Sequence, residues 1–113
     1  MSGLTTHVLD TMHGRPAAGM SLRLLRGDRV LTDAVTNLDG RLDGPLLAGP
    51  DLEPGGYRLE FRVGEYFRDM GAPLPEPSFL ETVVIDFNVT ETGGHYHVPL
   101  LVSPFAYSTY RGS

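Results

Sequence analysis

The chain has 113 residues, a length that suits one domain and leaves no room for a second of ordinary size. It carries 14 acidic and 9 basic residues, a formal net charge of −5, and every basic residue is arginine. This balance argues against nucleic acid or an anionic membrane as a partner, although arginine could still hold a small anionic ligand. Because the chain has no cysteine, disulfide frameworks, thiolate nucleophiles and cysteine-ligated metal centres are excluded.

The sequence lacks the patterns that direct a chain into a membrane or out of the cell. No run approaches the length of about 18 apolar residues that a membrane span needs. Residues 1–7 do not have the charged-then-apolar order of a signal peptide, and residues 110–113 are neither a peroxisomal address nor a prenylation box. We therefore expect a cytoplasmic location.

Short apolar runs separated by glycine and proline predict many turns and few long helices. Strands are predicted, in chain order, at residues 4–10, 21–25, 30–36, 57–63, 79–88, 95–102 and 106–110. The fourth has the clearest alternation, because Tyr57, Leu59, Phe61 and Val63 share one face while charged residues occupy the other. That pattern is typical of a half-buried antiparallel strand.

The connections between these strands also carry structural signals. Residues 37–40 have the composition of a turn in which Gly40 takes a positive φ, and residues 41–54 predict irregular structure with at most one short strand. Residues 64–71 lack β alternation and end in glycine, which predicts one short helix. Seven or eight short strands and one brief helix predict a single all-β domain over residues 1–113, built as an antiparallel β-sandwich.

Four histidines are the titratable groups with candidate chemistry. Residues two apart on a strand share a face, so His95 and His97 point the same way, about 7 Å apart. The pair could bind a metal with His7 or His13 as a third ligand, or one imidazole could act as a general base near neutral pH. The spacing equally fits four exposed or hydrogen-bonded histidines without chemistry, and it does not decide among the three.

The C-terminal residues form a second candidate feature. Residues 107–110 have good strand composition up to the end of the chain. A strand there would hold Arg111 and the Ser113 carboxylate at a fixed position instead of leaving them in a frayed tail. Arg41, directly after the Gly40 turn, would by itself be an unremarkable solvated arginine.

Together these segments resemble the signatures of the transthyretin-like family. The resemblance covers essentially the whole chain and is carried by residues 6–10 (THVLD) with 14–17 (GRPA), 37–41 (NLDGR), 95–101 (HYHVPLL) with 103–104 (SP), and 110–113 (YRGS). The terminal YRGS is the most specific part, because it separates the 5-hydroxyisourate hydrolases of this family from the transthyretins that carry hormone. The chain is similar to the hydrolases.

The resemblance implies a fold, an assembly and a reaction. The fold is a transthyretin-like antiparallel sandwich of two four-stranded sheets with one short helix. The assembly is a homotetramer whose active clefts cross the dimer–dimer interface, with residues from two subunits in each cleft. The reaction is the hydrolysis of 5-hydroxyisourate, a small molecule of urate degradation, to 2-oxo-4-hydroxy-4-carboxy-5-ureidoimidazoline, without a metal or other cofactor.

The residues that match functional positions of the family are His7, Arg41, His97, Tyr110, Arg111, Gly112 and Ser113. Opening a cyclic amide needs a base to deprotonate water and a stabiliser for the oxyanion. We expect His7 and His97 to activate and position the water, one of them as the base, and Arg41 to bind substrate carbonyls and stabilise the developing charge.

The terminal residues and the other two histidines have different expected roles. Arg111 and Gly112 are expected to contribute to substrate binding. Tyr110 and Ser113 are expected to wall the site and orient a histidine. His13 and His95 fall outside the functional positions, so we expect both at the surface.

Three other functions remain open. The chain could be a transthyretin-like carrier of a small ligand without catalysis, a β-sandwich adaptor that binds through a sheet edge, or a histidine-based zinc hydrolase. The polar set of histidines and Arg41 counts against the carrier, because a hydrophobic channel has no need of it.

Overall fold

The computed structural model describes residues 3–90 and 94–112, which fold into two β-sheets packed face to face, as the sequence predicts. The strands of these ranges are β1 (Gly3–Asp10), β2 (Arg15–Pro16), β3 (Ser21–Arg26), β4 (Arg29–Val35), β5 (Leu47–Ala48), β6 (Gly55–Phe61), β7 (Val83–Val89), β8 (His95–Ser103) and β9 (Ala106–Thr109). The helix α1 (Val63–Asp69) and a short 3₁₀ turn (Gly49–Asp51) complete the regular structure that is described.

One sheet has the strand order β2–β1–β8–β9, with β5 paired to the start of β1, and the other has the order β4–β3–β6–β7. The expected pair of four-stranded sheets is therefore present, with the two-residue β5 added to the first. Among the strands of residues 3–90 and 94–112, every pairing is antiparallel except that of β1 with β8. The sequence did not reveal this exception, because alternation reports which face of a strand is buried and not the direction of its neighbour.

The core lies between the two sheets and follows the alternation of the strands. In β6, Tyr57, Leu59 and Phe61 point inward and are buried, while Arg58 faces solvent. The largest fully buried side chains are Phe61, Phe67, Leu4, Met20, Leu24, Leu52, Leu59, Leu100, Val8, Val63, Val83 and Val89. Because inward side chains fill the sandwich, polar groups with chemistry are left on the outer faces and at the edges.

The end of β6 and the start of β7 differ from the prediction for reasons that the structure shows. Val63 begins α1 instead of ending the preceding strand, although its side chain is buried as expected. The strand predicted from residue 79 begins only at Val83, because Glu81 accepts the Gly64 N–H at 3.0 Å and holds residues 78–81 in a loop against the helix. Within the described ranges, no helix combines the length and apolar character that crossing a membrane requires.

Candidate active site

The parallel pair of β1 and β8 creates the candidate site. Its register sets Thr5 opposite His97 and His7 opposite Pro99, although Thr5 and His97 are 92 residues apart in the chain. The even-numbered residues 4–10 of β1 are buried in the core, whereas residues 5, 7 and 9 are partly exposed on the other side. Both candidate histidines therefore belong to the outer face of the first sheet.

The His97 imidazole is half-buried and has a hydroxyl partner. Its Nδ1 lies 2.8 Å from the Oγ1 of Thr5. Burial lowers the pKa of His97 from its ordinary value of 6.5, and the positive charges of Arg41, His7 and His95 lower that pKa further. A hydrogen bond with the Thr5 backbone acts in the opposite direction without reversing the shift. The ring is therefore neutral at neutral pH, which is the form that can accept a proton.

The His7 imidazole is oriented by a backbone carbonyl. Its Nε2 lies 2.9 Å from the carbonyl oxygen of Asp39. Because a carbonyl oxygen can only accept, Nε2 carries the hydrogen and donates this bond. In the neutral ring, Nδ1 is then the unprotonated nitrogen.

The turn that supplies this carbonyl is closed by Asn37. The Asn37 Oδ1 accepts the N–H of Asp39 at 2.9 Å and that of Arg41 at 3.1 Å, and the Asn37 N–H donates to the Arg41 carbonyl at 2.7 Å. Gly40 has a φ of +74°, which confirms the predicted positive φ, and its carbonyl accepts the Val8 N–H at 2.8 Å. The side chain of one asparagine thus organises the turn, and a backbone bond fastens the turn to β1.

The Arg41 side chain is exposed beside this turn. Within residues 3–90 and 94–112, its guanidinium has no hydrogen-bond or ion-pair partner. Its charge nevertheless acts on the outer face, since it is one of the causes that lower the pKa of His97. The structure thus brings His7, Arg41 and His97 into one electrostatic environment and leaves the guanidinium available to a ligand.

The C-terminal segment folds back along β8. The Gly112 N–H donates to the His97 carbonyl at 2.8 Å, and a Cβ at Gly112 would lie 2.5 Å from the Cδ2 of His97. Arg111 donates from its guanidinium to the His95 carbonyl at 3.1 Å and stacks over the Tyr96 ring, 4.2 Å from its centroid. The segment is therefore held at a fixed position, as its strand composition predicts, and it packs against the His97 imidazole.

The contacts that hold Arg111 and Gly112 beside β8 do not extend to Tyr110 in the part of the chain that the structure describes. The Tyr110 side chain is largely exposed and lines, with Arg111, a cleft of about 350 Å³ between β7 and β9 at the edge of the sandwich. That cleft is a different surface from the outer face that carries His97. Ser113 lies outside the described residues. The roles expected of Tyr110 and Ser113 at the site therefore stay predictions.

The outer face is open in the single chain. The main cavities of residues 3–90 and 94–112 are lined by residues other than His7, Arg41 and His97. In the same ranges, no group of three or more His, Cys, Asp or Glu side chains is arranged to hold a metal ion.

His95 is exposed, as expected, but His13 has a buried partner. Its Nδ1 donates to Asp10 at 2.6 Å, its backbone N–H donates to the same carboxylate at 2.9 Å, and the Tyr66 hydroxyl donates a third bond at 2.7 Å. Burial raises the pKa of Asp10, but these hydrogen bonds outweigh burial and hold the pKa below its ordinary value. His13 itself is exposed, as predicted, and its imidazole also stacks on Phe67 of α1, with 6.3 Å between ring centroids.

Two residues that organise the site were not singled out in the sequence. Thr5 lies two residues before His7, so the period of two along a strand places both on one face and could have indicated it. Asn37 was recognised only as part of a turn. Asparagine side chains often accept the backbone N–H of the residue two positions later, which forms an Asx turn and could have indicated the role of Asn37.

The fold and its outer face define a β-sandwich protein with a polar site on one sheet. Comparison with known proteins makes this more specific, since the model of the HIUase/Transthyretin family matches residues 4–112. The chain belongs to this family, which confirms the resemblance that its motifs carry.

Individual relatives agree with this assignment. The 5-hydroxyisourate hydrolase of Caulobacter vibrioides is 54% identical, with all of both chains covered. The structure of Klebsiella pneumoniae 5-hydroxyisourate hydrolase has a TM-score of 0.85 and 39% identity, again over 100% of both chains. The transthyretin of Sparus aurata has a TM-score of 0.84 but 28% identity, covering 99% of this chain and 97% of that one. The similarity in sequence is thus greater to the hydrolases than to that transthyretin.

Proposed function

We propose that this chain is a 5-hydroxyisourate hydrolase, which converts 5-hydroxyisourate to 2-oxo-4-hydroxy-4-carboxy-5-ureidoimidazoline in urate degradation. A full-length relative of that name at 54% identity supports the proposal. The single observation that carries it is that His7 and His97 share one outer face, where the charge of Arg41 helps to lower the pKa of His97.

The reaction breaks one carbonyl–nitrogen bond of the six-membered ring. Water adds to the carbonyl carbon and forms a tetrahedral oxyanion. Collapse of the oxyanion expels the ring nitrogen, which takes a proton and becomes the end of the ureido group, while the carbonyl carbon becomes a carboxylate. The site must therefore supply a base for the water, donors for the oxyanion and a proton for the leaving nitrogen.

His97 is the better suited of the two histidines to act as the base. Its lowered pKa keeps the ring neutral, and Thr5 occupies Nδ1, so Nε2 is the nitrogen left for the water. His7 already donates from Nε2 to the Asp39 carbonyl, which suits it to position the water or the substrate. Protonated His97 can then return the proton to the leaving nitrogen, so no metal or other cofactor is required.

Arg41 is suited to bind the substrate and stabilise the oxyanion. Its guanidinium is permanently charged and presents a planar set of donors, which matches a flat ring rich in carbonyl groups. The Arg41 N–H donates to the Asn37 Oδ1, and the Arg41 carbonyl accepts the Asn37 N–H. These two hydrogen bonds fix the backbone from which the Arg41 side chain extends. Gly112 adds to the binding surface beside the His97 ring, whereas Tyr110 and Arg111 line the separate cleft at the edge of the sandwich.

A homotetramer with active sites at the dimer–dimer interface is part of this proposal. His7 and Arg41 lie on an open outer face, and a second subunit over that face would exclude water from the substrate. Light scattering after size exclusion tests the assembly, and a monomer with full activity would contradict it. We also propose a cytoplasmic location, which cell fractionation tests.

The activity is tested by generating 5-hydroxyisourate with urate oxidase and following its ultraviolet decay. We expect decay well above the spontaneous rate, and a His97→Asn variant that keeps the assembly but loses most of this acceleration. His95→Asn is the matched control, because it makes the same change two residues away on the same strand and should keep activity within about twofold.

Other outcomes of this experiment identify the alternatives. Wild-type protein that binds small aromatic ligands without accelerating the decay would contradict the proposal in favour of a carrier. Activity that disappears after chelator treatment and returns with zinc would contradict the metal-free mechanism. Full activity of His97→Asn would remove His97 from the reaction.

A further inference from the structure

We propose that Thr5 is the positioning residue of His97: its hydroxyl accepts a hydrogen bond from Nδ1–H and thereby keeps the lone pair of the imidazole on Nε2. This inference rests on the proposed function and adds a residue to it. Thr5 acts through His97 and is not expected to touch the substrate.

The placement of the hydroxyl is set by the sheet. Thr5 faces His97 directly in the parallel β1–β8 register, and its Oγ1 lies 2.8 Å from Nδ1. Threonine is stiff at χ1 and suits a strand, so the backbone pairing holds the hydroxyl in place at little entropic cost. The bond therefore exists because two distant segments pair, and it needs no flexible side chain.

The other side of the ring is closed by the C-terminal segment. A Cβ on Gly112 would lie 2.5 Å from the Cδ2 of His97 and 3.3 Å from its Cγ, so only a bare glycine fits beside the imidazole. A half-turn of the ring would exchange Nδ1 with Cδ2, which would place a carbon against the Thr5 hydroxyl and forfeit the bond. The Thr5 hydroxyl thus selects one of the two ring orientations, and Gly112 leaves the space in which the ring lies.

The polarity of the bond follows from the chemistry of the site. A neutral imidazole carries one proton, and the nitrogen without it is the one that can accept a proton from water. A hydroxyl can either donate or accept. If Thr5 accepts, Nε2 keeps its lone pair and His97 is ready as a base, whereas if Thr5 donates, Nε2 carries the hydrogen and cannot act. Only the first arrangement is compatible with His97 as the base.

Kinetics of two Thr5 variants test the role. Thr5→Val keeps the shape of the side chain but removes the hydroxyl, and we expect kcat to fall about tenfold to thirtyfold, the factor that one lost hydrogen bond supplies, with KM little changed. Thr5→Ser restores a hydroxyl and should recover most of kcat. Thr82→Val, an exposed threonine before β7 in the other sheet, is the matched control and should leave kcat unchanged. Unchanged kcat in Thr5→Val, or equal losses in the valine and serine variants, would overturn the inference.

Nitrogen NMR of histidine-labelled protein tests the tautomer without any substrate. We expect the neutral His97 of the wild type to carry its proton on Nδ1, and this preference to weaken in Thr5→Val and return in Thr5→Ser. A proton on Nε2 in the wild type would overturn the inference, even if Thr5→Val proved too unstable to assay. Because this measurement does not depend on 5-hydroxyisourate, a protein that failed to hydrolyse the substrate would contradict the proposed function while the spectrum still decided the role of Thr5.

Discussion

Gly40 packs against the backbone of Val8 so closely that no side chain fits between them. The Gly40 carbonyl accepts the Val8 N–H at 2.8 Å, and a Cβ at position 40 would overlap the Val8 carbonyl oxygen. This contact joins the turn that carries Asp39 and Arg41 to the strand that carries His7. The geometry between the guanidinium and the imidazole therefore depends on a glycine that has no chemistry of its own.

We expect Gly40→Ala to destabilise the protein and to reduce its activity. Alanine at a φ of +74° costs about 1–2 kcal/mol, and the overlap with Val8 adds to that cost by moving the turn. Gly14→Ala is the control, because Gly14 has a φ of +70° and nothing within 4 Å of its Cβ position. Urea unfolding measures the stability of both variants, and an equal loss in both would show that the Val8 contact contributes nothing.

Gly112→Ala tests the contact between the C-terminal segment and the imidazole. The new methyl group would meet the Cδ2 of His97 at 2.5 Å, so the ring must move away from its bond to Thr5. We expect kcat to fall by about tenfold or more while the thermal midpoint changes little, since Gly112 lies outside the buried core. Gly44→Ala, at a position with open space around it, should leave both quantities unchanged. Full activity of Gly112→Ala would mean that the tail does not position the ring.

The pH profile should report the environment of His97. Because the pKa of His97 is lowered from 6.5, kcat/KM should remain high as the pH falls past 6.5 and decline only as His97 becomes protonated at lower pH. In Arg41→Gln one of the repelling positive charges is gone, so the pKa should rise towards its ordinary value and the acid limb should move to higher pH. Arg29→Gln, an exposed arginine of β4, is the control and should not move the limb. A limb that stays in place in Arg41→Gln would contradict the electrostatic link.

The buried carboxylate of Asp10 should make the fold sensitive to acid. Because folding lowers the pKa of Asp10, its contribution to stability is complete above the unfolded value of 3.8 and is lost as the pH falls through the folded value. Tyr66→Phe removes one of the three donors to Asp10 and should cost about 1–3 kcal/mol at pH 7. Its acid unfolding midpoint should lie at a higher pH than that of the wild type. Tyr107→Phe, a partly exposed tyrosine of β9, is the control, and similar urea midpoints for the two variants would contradict a role for the Asp10 network.

Most strands and the turn geometry could be predicted because their causes are local. The alternation of Tyr57, Leu59 and Phe61 correctly indicated the buried face of β6, and glycine composition indicated the positive φ of Gly40. The boundaries at Val63 and Val83 were missed, since an apolar residue at the right spacing is buried equally well at the start of a helix or in a strand.

The candidate site was less accessible to the same reasoning. Motif resemblance identified His7, Arg41 and His97, but spacing alone left metal binding, base catalysis and no role all open. Thr5 and Asn37 were missed because their contribution is a hydrogen bond to a particular partner, and a sequence pattern does not name that partner.

Local patterning was therefore enough to say which side chains enter the core and where the chain turns, because burial and backbone conformation depend on neighbouring residues. The parallel pairing of β1 with β8, and with it the meeting of Thr5, His7 and His97, came only from the folded molecule. Strand alternation carries no information about the direction or identity of a partner strand, which the packing of the whole sandwich selects.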